Sequence, residues 1–132
     1  MIDQNILMAN QEIDSSRENR IDDEIVVDAY DEQERAMGWY CHLQDKISFP
    51  FLAKWKKTNK KTGAIAEKEV EVIDMASADD CESSMYVEVA YIGEKDDTFT
   101  AKLSDIEAIN PDADSEEAIA DWKYWVDMGY GF

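Results

Sequence analysis

The residues of this sequence best suited to chemistry are two clusters of carboxylates. One is Asp79, Asp80 and Glu82 in the segment MASADDCESS, and the other is NPDADSEE (residues 110–117), which includes Asp112 and Asp114. Calcium takes about six to eight oxygen ligands in a forgiving geometry, and carboxylates supply such oxygens at short range. Both clusters are therefore candidate calcium sites.

The second cluster resembles the opening of an EF-hand loop but departs from it at two essential places. Counted from Asp112, the sixth position holds Glu117 instead of glycine and the twelfth holds Lys123 instead of glutamate. The segment is therefore not an EF-hand. Its alternative interpretation is a helix start in which Asp114 is the N-cap and Glu117 the N3 residue.

The elements that must position these acids follow from the hydrophobic period. Apolar and polar residues alternate over residues 49–55, 70–72, 87–91 and 99–103, which predicts four antiparallel strands with one solvated face each. A short fifth strand is predicted over 107–109. Consecutive short strands of this kind can close into a small barrel.

Helical spacing flanks the strands. Apolar residues recur on nearly one face from Ile21 to Ile47, with Gly38 a candidate break between two helices, and the C-terminal helix is expected to end at Gly129. Its apolar face comprises Ile119, Trp122, Trp125 and Val126. The predicted fold is thus α+β: a flexible acidic N-terminal arm over residues 1–19, then a single calcium-binding domain over residues 20–132.

Strand order predicts that several acids meet at one end of this barrel. In an antiparallel meander the start of the first strand lies beside the end of the second, and the end of the fourth lies beside the start of the third. The carboxylates expected to gather there are Asp45, Asp79, Asp80, Glu82 and Asp105. They would repel one another unless a cation lay between them, or else each would point into water alone.

The formal net charge limits the partners. With 31 Asp and Glu against 13 Lys and Arg, the chain carries −18. Such a surface repels phosphate backbones and anionic lipid, so nucleic acid and membrane are not expected partners, and a monomer is expected. An acidic protein-interaction or nucleic-acid-mimic module without a metal site remains the alternative. The basic segment KKTNKKTG is expected to be a solvated hairpin loop. Contact with an anionic partner is its alternative role.

Signatures of an enzyme are missing. The only histidine, His42, adjoins Cys41, but neighbours on a helix point about 100° apart and cannot act as base and nucleophile. The sequence has no P-loop, GxGxxG or GxSxG motif. Cys41 and Cys81 show no CxxC spacing, and the first residues lack a leading basic cluster, so free thiols and a cytoplasmic location are expected.

Three motifs resemble the small cyanobacterial calcium-binding protein family. They are ERAMGWYCHLQDKISFPFLAKW (residues 34–55), VIDMASADDCESSMYV (residues 72–87) and ADWKYWVDMGYGF (residues 120–132). The resemblance implies an SH3-like five-stranded barrel flanked by helices, sequestration of cytosolic Ca²⁺, and a link to calcium signalling in heterocyst differentiation. It also implies Asp45, Asp80 and Glu82 as ligands, since they lie inside matched motifs. A regulatory protein or a protease is the further partner to expect.

Overall fold

Over the residues that the structure describes, 14–94 and 96–132, the chain is α+β with three α-helices and one five-stranded sheet. The coordinates are a computed structural model. The elements are α1 (Ser15–Arg20), a π-helical turn (Ile21–Ile25), α2 (Glu32–Lys46), β1 (Phe51–Thr58), β2 (Ile65–Met75), a first 3₁₀ turn (Ala78–Cys81), β3 (Tyr86–Tyr91), β4 (Thr98–Lys102), a second 3₁₀ turn (Leu103–Asp105), β5 (Ile106–Ala108) and α3 (Ala113–Asp127).

The sheet is antiparallel throughout, in the order β4-β3-β2-β1-β5. The predicted strands are confirmed, and the fifth begins one residue earlier than expected, at Ile106. No ladder joins β4 to β5 among the described residues, so the sheet is open and the predicted barrel closure is not confirmed. β5 has only three residues and pairs with β1 alone, and helical residues share the core with the inner face of the sheet.

The core is built around tryptophans from two helices. Trp39 of α2 is fully buried, with its ring 5.1 Å from that of Trp122 and 5.5 Å from that of Trp125 on α3. Strand residues such as Val70 and Val89 complete the same cluster. The predicted core role of Ile119 and the two α3 tryptophans is confirmed, whereas Val126 is 39% exposed.

The break in the N-terminal helical region lies at residues 26–31, not at Gly38 as predicted. Asp28 adopts a positive φ of 58°, and Asp31 caps α2 by accepting a hydrogen bond from the Glu34 N–H at 2.8 Å. Gly38 lies inside α2, where an added Cβ would be 2.4 Å from the carbonyl oxygen of Ile25. Glycine is therefore required here by close packing of the π-helical turn against α2.

The first helix is held against the last by a partly buried ion cluster, which we call the arginine clasp (Arg17, Arg20 and Asp121). Asp121 is 0% exposed and accepts hydrogen bonds from Arg17 at 2.6 Å and from Arg20 at 2.7 and 2.9 Å. These bonds raise the pKa of Arg20 above its usual value. Glu18 adds contacts by accepting from the hydroxyls of Tyr124 and Tyr130.

The arginine clasp crosses the boundary predicted between the N-terminal arm and the domain at residue 20, since it joins Arg17 to Asp121. Residues 15–19 of the predicted arm form most of α1, and residues 1–13 lie outside the described residues. The pattern of apolar residues did not reveal α1 because the helix has no buried residue and is fastened by polar side chains. Within the described part of the chain, no helix combines the length and apolar character needed to cross a bilayer.

The N-cap of α3 differs from the prediction. Asp112, not Asp114, caps the helix by accepting hydrogen bonds from the Ser115 N–H at 3.2 Å and the Ser115 hydroxyl at 2.6 Å. Ser115 is buried, and its hydroxyl also accepts a hydrogen bond from the Ser48 N–H. This serine at the N3 position therefore joins the start of α3 to the segment that follows α2. The predicted stop at Gly129 is confirmed by its φ of +77°.

Candidate metal centre

An acidic cleft lies between the start of α2 and the first 3₁₀ turn. It encloses about 370 Å³ and is lined by three carboxylates, from Glu32, Asp79 and Glu82. We call it the acidic cleft. All three residues are exposed, and none forms an ion pair within 4 Å with a described residue.

The α2 wall of the cleft is fixed by Tyr40. Its hydroxyl donates a 2.8 Å hydrogen bond to the carbonyl oxygen of Ala76, which follows β2 directly. Burial raises the pKa of the Tyr40 phenol, so the donor stays protonated at neutral pH. This bond joins the helix that carries Glu32 to the segment that carries Asp79 and Glu82.

The opposite wall is fixed by a buried thiol. Cys81 is 2% exposed, and its Sγ accepts a 3.3 Å hydrogen bond from the Tyr86 N–H at the start of β3. Burial raises the pKa of this thiol, which favours its neutral form as a packing group in the wall. Ser77 caps the turn by accepting from the Asp80 N–H at 3.3 Å. The turn is therefore anchored at both ends while its carboxylates face solvent.

Other predicted ligands do not line the cleft. Asp80 is exposed on the same 3₁₀ turn but is not among the residues that line it. Asp45 lies at the other end of α2, about 20 Å along the helix axis from Glu32 at 1.5 Å per residue. Asp114 is exposed in the first turn of α3.

Asp105 lies in a different cavity from Asp79 and Glu82. That cavity encloses about 520 Å³, and Lys56, Glu107 and Lys123 line it together with Asp105. The predicted strand neighbours are correct, since Tyr86 pairs with Lys102 and Phe51 with Val72. However, Ile106 pairs with Trp55, so Asp105 is carried to the edge of β1, away from the turn.

Asp112 already has protein partners. Its two carboxylate oxygens accept from Ser115, and the Ser115 hydroxyl lowers the pKa of this carboxyl. The structure therefore gives Asp112 a capping role, which matches the alternative interpretation of this cluster in kind, although the prediction placed the cap at Asp114.

The acidic cleft has the chemistry that calcium prefers but not a finished coordination shell. Carboxylates, the amide of Gln33 and the phenol of Tyr40 offer oxygen donors, and these ligands are hard and suit Ca²⁺ better than a soft metal. In the part of the chain that the structure describes, no three His, Cys, Asp or Glu residues are already close enough to hold a metal ion. A cation would therefore draw the exposed side chains together.

Glu32 lines the cleft but is not among the ligands predicted from the sequence. It lies 47 positions before Asp79 in the chain, and only the packing of α2 against the first 3₁₀ turn brings the two to one cleft. The available signal was its place directly after the N-cap Asp31, where an exposed acid is expected for helix stability alone.

Comparison with known proteins decides the family. The model of the CcbP family, described as calcium binding, matches residues 19–126. The chain belongs to this calcium-binding family. No curated protein sequence gives a significant match.

Two solved structures are similar to this CcbP-family chain. The crystal structure of Anabaena CcbP is 60% identical, with a TM-score of 0.84, and the match covers 92% of this chain and 97% of that one. A calcium-binding protein in its calcium-binding form is 61% identical, with a TM-score of 0.84 and coverage of 90% and 95%. The resemblance inferred from the three motifs is confirmed, and so is Ca²⁺ as the expected cofactor of the family.

Proposed function

We propose that this CcbP-family chain binds Ca²⁺ in the acidic cleft, with Glu32, Asp79 and Glu82 as ligands. The observation that carries the proposal is the convergence of three unpaired carboxylates on one cleft in a member of a calcium-binding family. Asp80, on the same turn, is the next candidate if the turn rotates on binding.

Electrostatics support this location. The chain carries −18, and the three carboxylates of the cleft have no protein cation beside them among the described residues. Like charges that share a site favour a cation between them. Because these side chains are exposed, they can adjust to the irregular shell of calcium more readily than to the tight octahedron of magnesium.

The remaining predicted ligands lie outside the cleft, and only two of them form a second candidate site. Asp112 and Asp114 flank the start of α3, and Asp45 and Asp105 lie apart from both clusters. We rank these residues below those of the acidic cleft as calcium ligands for two reasons. Asp112 already accepts a hydrogen bond from the Ser115 hydroxyl. Lys56 and Lys123 line the same cavity as Asp105. A site at α3 is the place to test if the cleft does not bind.

For the protein as a whole, we propose a cytoplasmic monomer that buffers Ca²⁺ or responds to it, with an apparent Kd of about 10⁻⁷ to 10⁻⁵ M, the range of calcium sensors. A link to calcium signalling in heterocyst differentiation, and a regulatory protein or protease as partner, stay predictions from the resemblance. So does the SH3-like barrel, which the return of β5 to β1 supports.

A non-enzymatic role is part of the same proposal. The Cys41–His42 couple is split, since Cys41 is exposed while His42 packs edge-on against Trp39. Burial lowers the pKa of His42, so this imidazole is held neutral against the core. These contacts support structural roles for both residues.

A calorimetric titration with calcium tests the proposal. It is performed at about 0.15 M salt with millimolar magnesium present, because diffuse attraction to a charged surface is screened and treats both ions alike. An organised site should prefer calcium by at least about tenfold, or roughly 1.4 kcal/mol. If magnesium removes the calcium heat, the acidic-mimic alternative is favoured.

Variants then locate the site. Glu32→Gln, Asp79→Asn and Glu82→Gln should each weaken calcium binding by about tenfold or more, since each removes one anionic ligand. Glu67→Gln, an exposed carboxylate on the β1–β2 hairpin, is the matched control for net charge. Unchanged affinity in all three cleft variants, with loss in Asp114→Asn, would move the site to α3.

A further inference from the structure

The β1–β2 hairpin carries charge of the opposite sign to the rest of the molecule. Residues 54–68 contain six lysines and one glutamate, a formal charge of +5 within a chain of −18. Calcium binding at the acidic cleft makes no use of this segment.

The hairpin also extends beyond the sheet. β5 pairs with β1 only as far as Trp55, and β3 pairs with β2 only from Val70 onward. Between these limits, β1 and β2 pair only with each other in the described structure, down to Thr58 opposite Ile65. The result is a two-stranded arm with two accessible faces.

The register separates the charges of this arm by face. Directly opposed residues of an antiparallel pair lie on the same face. Lys54 opposes Glu69 and Lys56 opposes Glu67, so one face, which we call the balanced face, alternates in sign. Lys56 is paired further with Glu107, at 2.6 Å.

The other face, which we call the basic face, carries lysines without acids. Its opposed pairs are Trp55 with Lys68 and Lys57 with Ala66. Lys57 lies over the Trp55 ring at 5.8 Å, and Lys68 forms no ion pair with a described residue.

At the base of the arm, the basic face meets an aromatic cluster. The Trp55 ring is 4.9 Å from that of Phe99, which is 5.1 Å from that of Tyr91. All three are only partly buried. Beside them lies a cavity of about 490 Å³, lined by Lys68, Glu69, Tyr91, Ile92 and Glu94, in which Ile92 is 54% exposed. Because two of these residues are acids, the positive charge of the arm lies on the basic face and at the tip and not in this cavity.

The tip of the arm is ordered by its own hydrogen bonds. Asn59 Oδ1 accepts from the Lys61 N–H at 2.9 Å, and the Asn59 N–H donates to the Ala64 carbonyl at 2.8 Å. Gly63 takes a φ of +73° to close the turn. The tip thereby holds Lys60 and Lys61 in a defined turn beyond the basic face.

We propose that the basic face of the hairpin, together with the aromatic cluster at its base, binds an acidic protein segment that carries an apolar anchor side chain. The lysines of the basic face and the tip select an acidic partner, and the apolar surface at Ile92 and Tyr91 accepts the anchor. Since Glu69 and Glu94 line the cavity there, the segment places its anchor at that point and its acids along the arm. This interaction goes beyond calcium binding and would let a protein of high negative charge contact a second acidic protein through one defined surface.

The same observations disfavour a nucleic acid. The three rings are tilted 41° to 51° against one another and pack together, so they do not offer parallel faces on which successive bases could stack. Outside the arm, the chain presents a strongly negative surface to the continuing phosphates of a strand. A short peptide places its few charges on the arm alone.

The test measures binding of a labelled twelve-residue glutamate-rich peptide with a central Phe-Leu pair by fluorescence anisotropy. It is performed with the full-length protein at about 0.15 M salt and in chelator, so that failure of calcium binding does not affect the result. Lys57→Gln with Lys68→Gln removes the basic face. Lys54→Gln with Lys56→Gln removes the same net charge from the balanced face and is the matched control.

The proposal expects the basic-face variant to lose at least about tenfold in affinity and the control to lose less than about threefold. Replacing the Phe-Leu pair of the peptide by alanines should also weaken binding. Equal losses in the two variants would reduce the effect to diffuse charge and overturn the proposal. So would the absence of peptide binding, or tighter binding of a twelve-residue oligo-dT with the same sensitivity to the basic face.

A second readout is specific for the surface. Of the four tryptophans, Trp39, Trp122 and Trp125 are buried and only Trp55 is partly exposed. Peptide binding should therefore shift the indole N–H resonance of Trp55 while the other three stay in place. An unshifted Trp55 resonance at saturating peptide would place the contact elsewhere and contradict the proposal.

Discussion

The arginine clasp and the acidic cleft use the same chemical group in opposite ways. In the clasp, Asp121 is 0% exposed and is bonded by two guanidinium groups. In the cleft, Glu32, Asp79 and Glu82 are exposed and have no protein cation within 4 Å in the described structure. The charge of Asp121 is neutralised by two arginines of the same chain, whereas the charges of the three cleft carboxylates are solvated and available to a ligand.

The difference shows how an acidic chain divides its carboxylates between structure and binding. A carboxylate removed from water must be paired, because the cost of losing hydration is large. A carboxylate left in water costs little and stays free to exchange water for a cation. Burial and the presence of arginine, not the residue type, therefore decide which role each acid takes.

The largest expected effect comes from breaking the clasp. Asp121→Asn leaves Arg17 and Arg20 facing a neutral buried group, and loss of one partner of a buried ion pair is strongly destabilising. Because the two arginine side chains are about one quarter exposed and can regain water, we expect a loss of about 3 kcal/mol, the lower end of that range. Urea unfolding in chelator measures it.

Asp127→Asn, at the C-terminal end of the same helix, is the control for that measurement. This exposed acid should change the free energy of unfolding by less than about 0.5 kcal/mol. Equal losses in the two variants would mean that removing any carboxylate from this helix is destabilising and that the pairing with arginine is not the cause.

The next effect in size is stabilisation by calcium. Binding to the native state alone adds about 2.7 kcal/mol at a hundredfold excess over Kd. The Tm of the parent should therefore rise with calcium and fall in chelator, and Asp121→Asn should show the same calcium increment because the clasp lies outside the cleft. A Tm that does not change when calcium is added would contradict calcium binding anywhere on the native protein.

A smaller effect of mixed sign is expected in the cleft. Asp79→Asn with Glu82→Gln should leave the free energy of unfolding in chelator unchanged or slightly higher, since repulsion between the carboxylates is relieved. The same variant should lose at least about 1.4 kcal/mol of the calcium increment, equal to a tenfold loss in affinity. Equal destabilisation with and without calcium would show that these acids are structural, as Asp121 is.

The smallest effect concerns the thiols. Cys41 is exposed, whereas Cys81 is buried in the wall of the cleft with its pKa raised by burial, so a thiol reagent near about pH 8 should modify Cys41 first. Calcium should slow modification of Cys81 further, because a cation held by Asp79 and Glu82 suppresses local opening of the turn. Mass spectrometry of timed samples separates the two sites. Equal rates with and without calcium would place the cation away from this turn.

A related dependence on pH follows from the same burial. The raised pKa of Cys81 means that the unfolded chain loses this proton before the native chain does. Stability from this group is thus fully present below the ordinary pKa of a thiol, 9.0, and is lost as pH rises above it. Cys81→Ser should weaken that alkaline loss, whereas Cys41→Ser should not.

Much of the fold was predictable because its signals are local. Alternation located the strands, and the apolar period and Gly129 located α3, although the N-cap is Asp112 and not the predicted Asp114. The helix break predicted at Gly38 was wrong. Glycine in a helical pattern is typical of a break, whereas here it leaves room for the Ile25 carbonyl oxygen. Nothing near Gly38 in the sequence records that distant neighbour.

The candidate site was predictable only in part. Asp79 and Glu82 are close in sequence, and the loop that carries them was found from composition. Asp45 and Asp105 were expected beside them from strand order, but the length of α2 and the pairing of Ile106 with Trp55 carry them away.

By itself the sequence determined the α+β class, the sign of the charge, the family and the acidic turn, because each depends on residues within a short window or on composition. Tertiary structure alone decided which acids are structural and which are open. Asp121 looks like any other acid on a helix until Arg17 and Arg20 fold against it, and Glu32 looks like a helix-capping acid until α2 packs beside the turn. Pairing and burial are contacts between distant segments, and no local pattern encodes them.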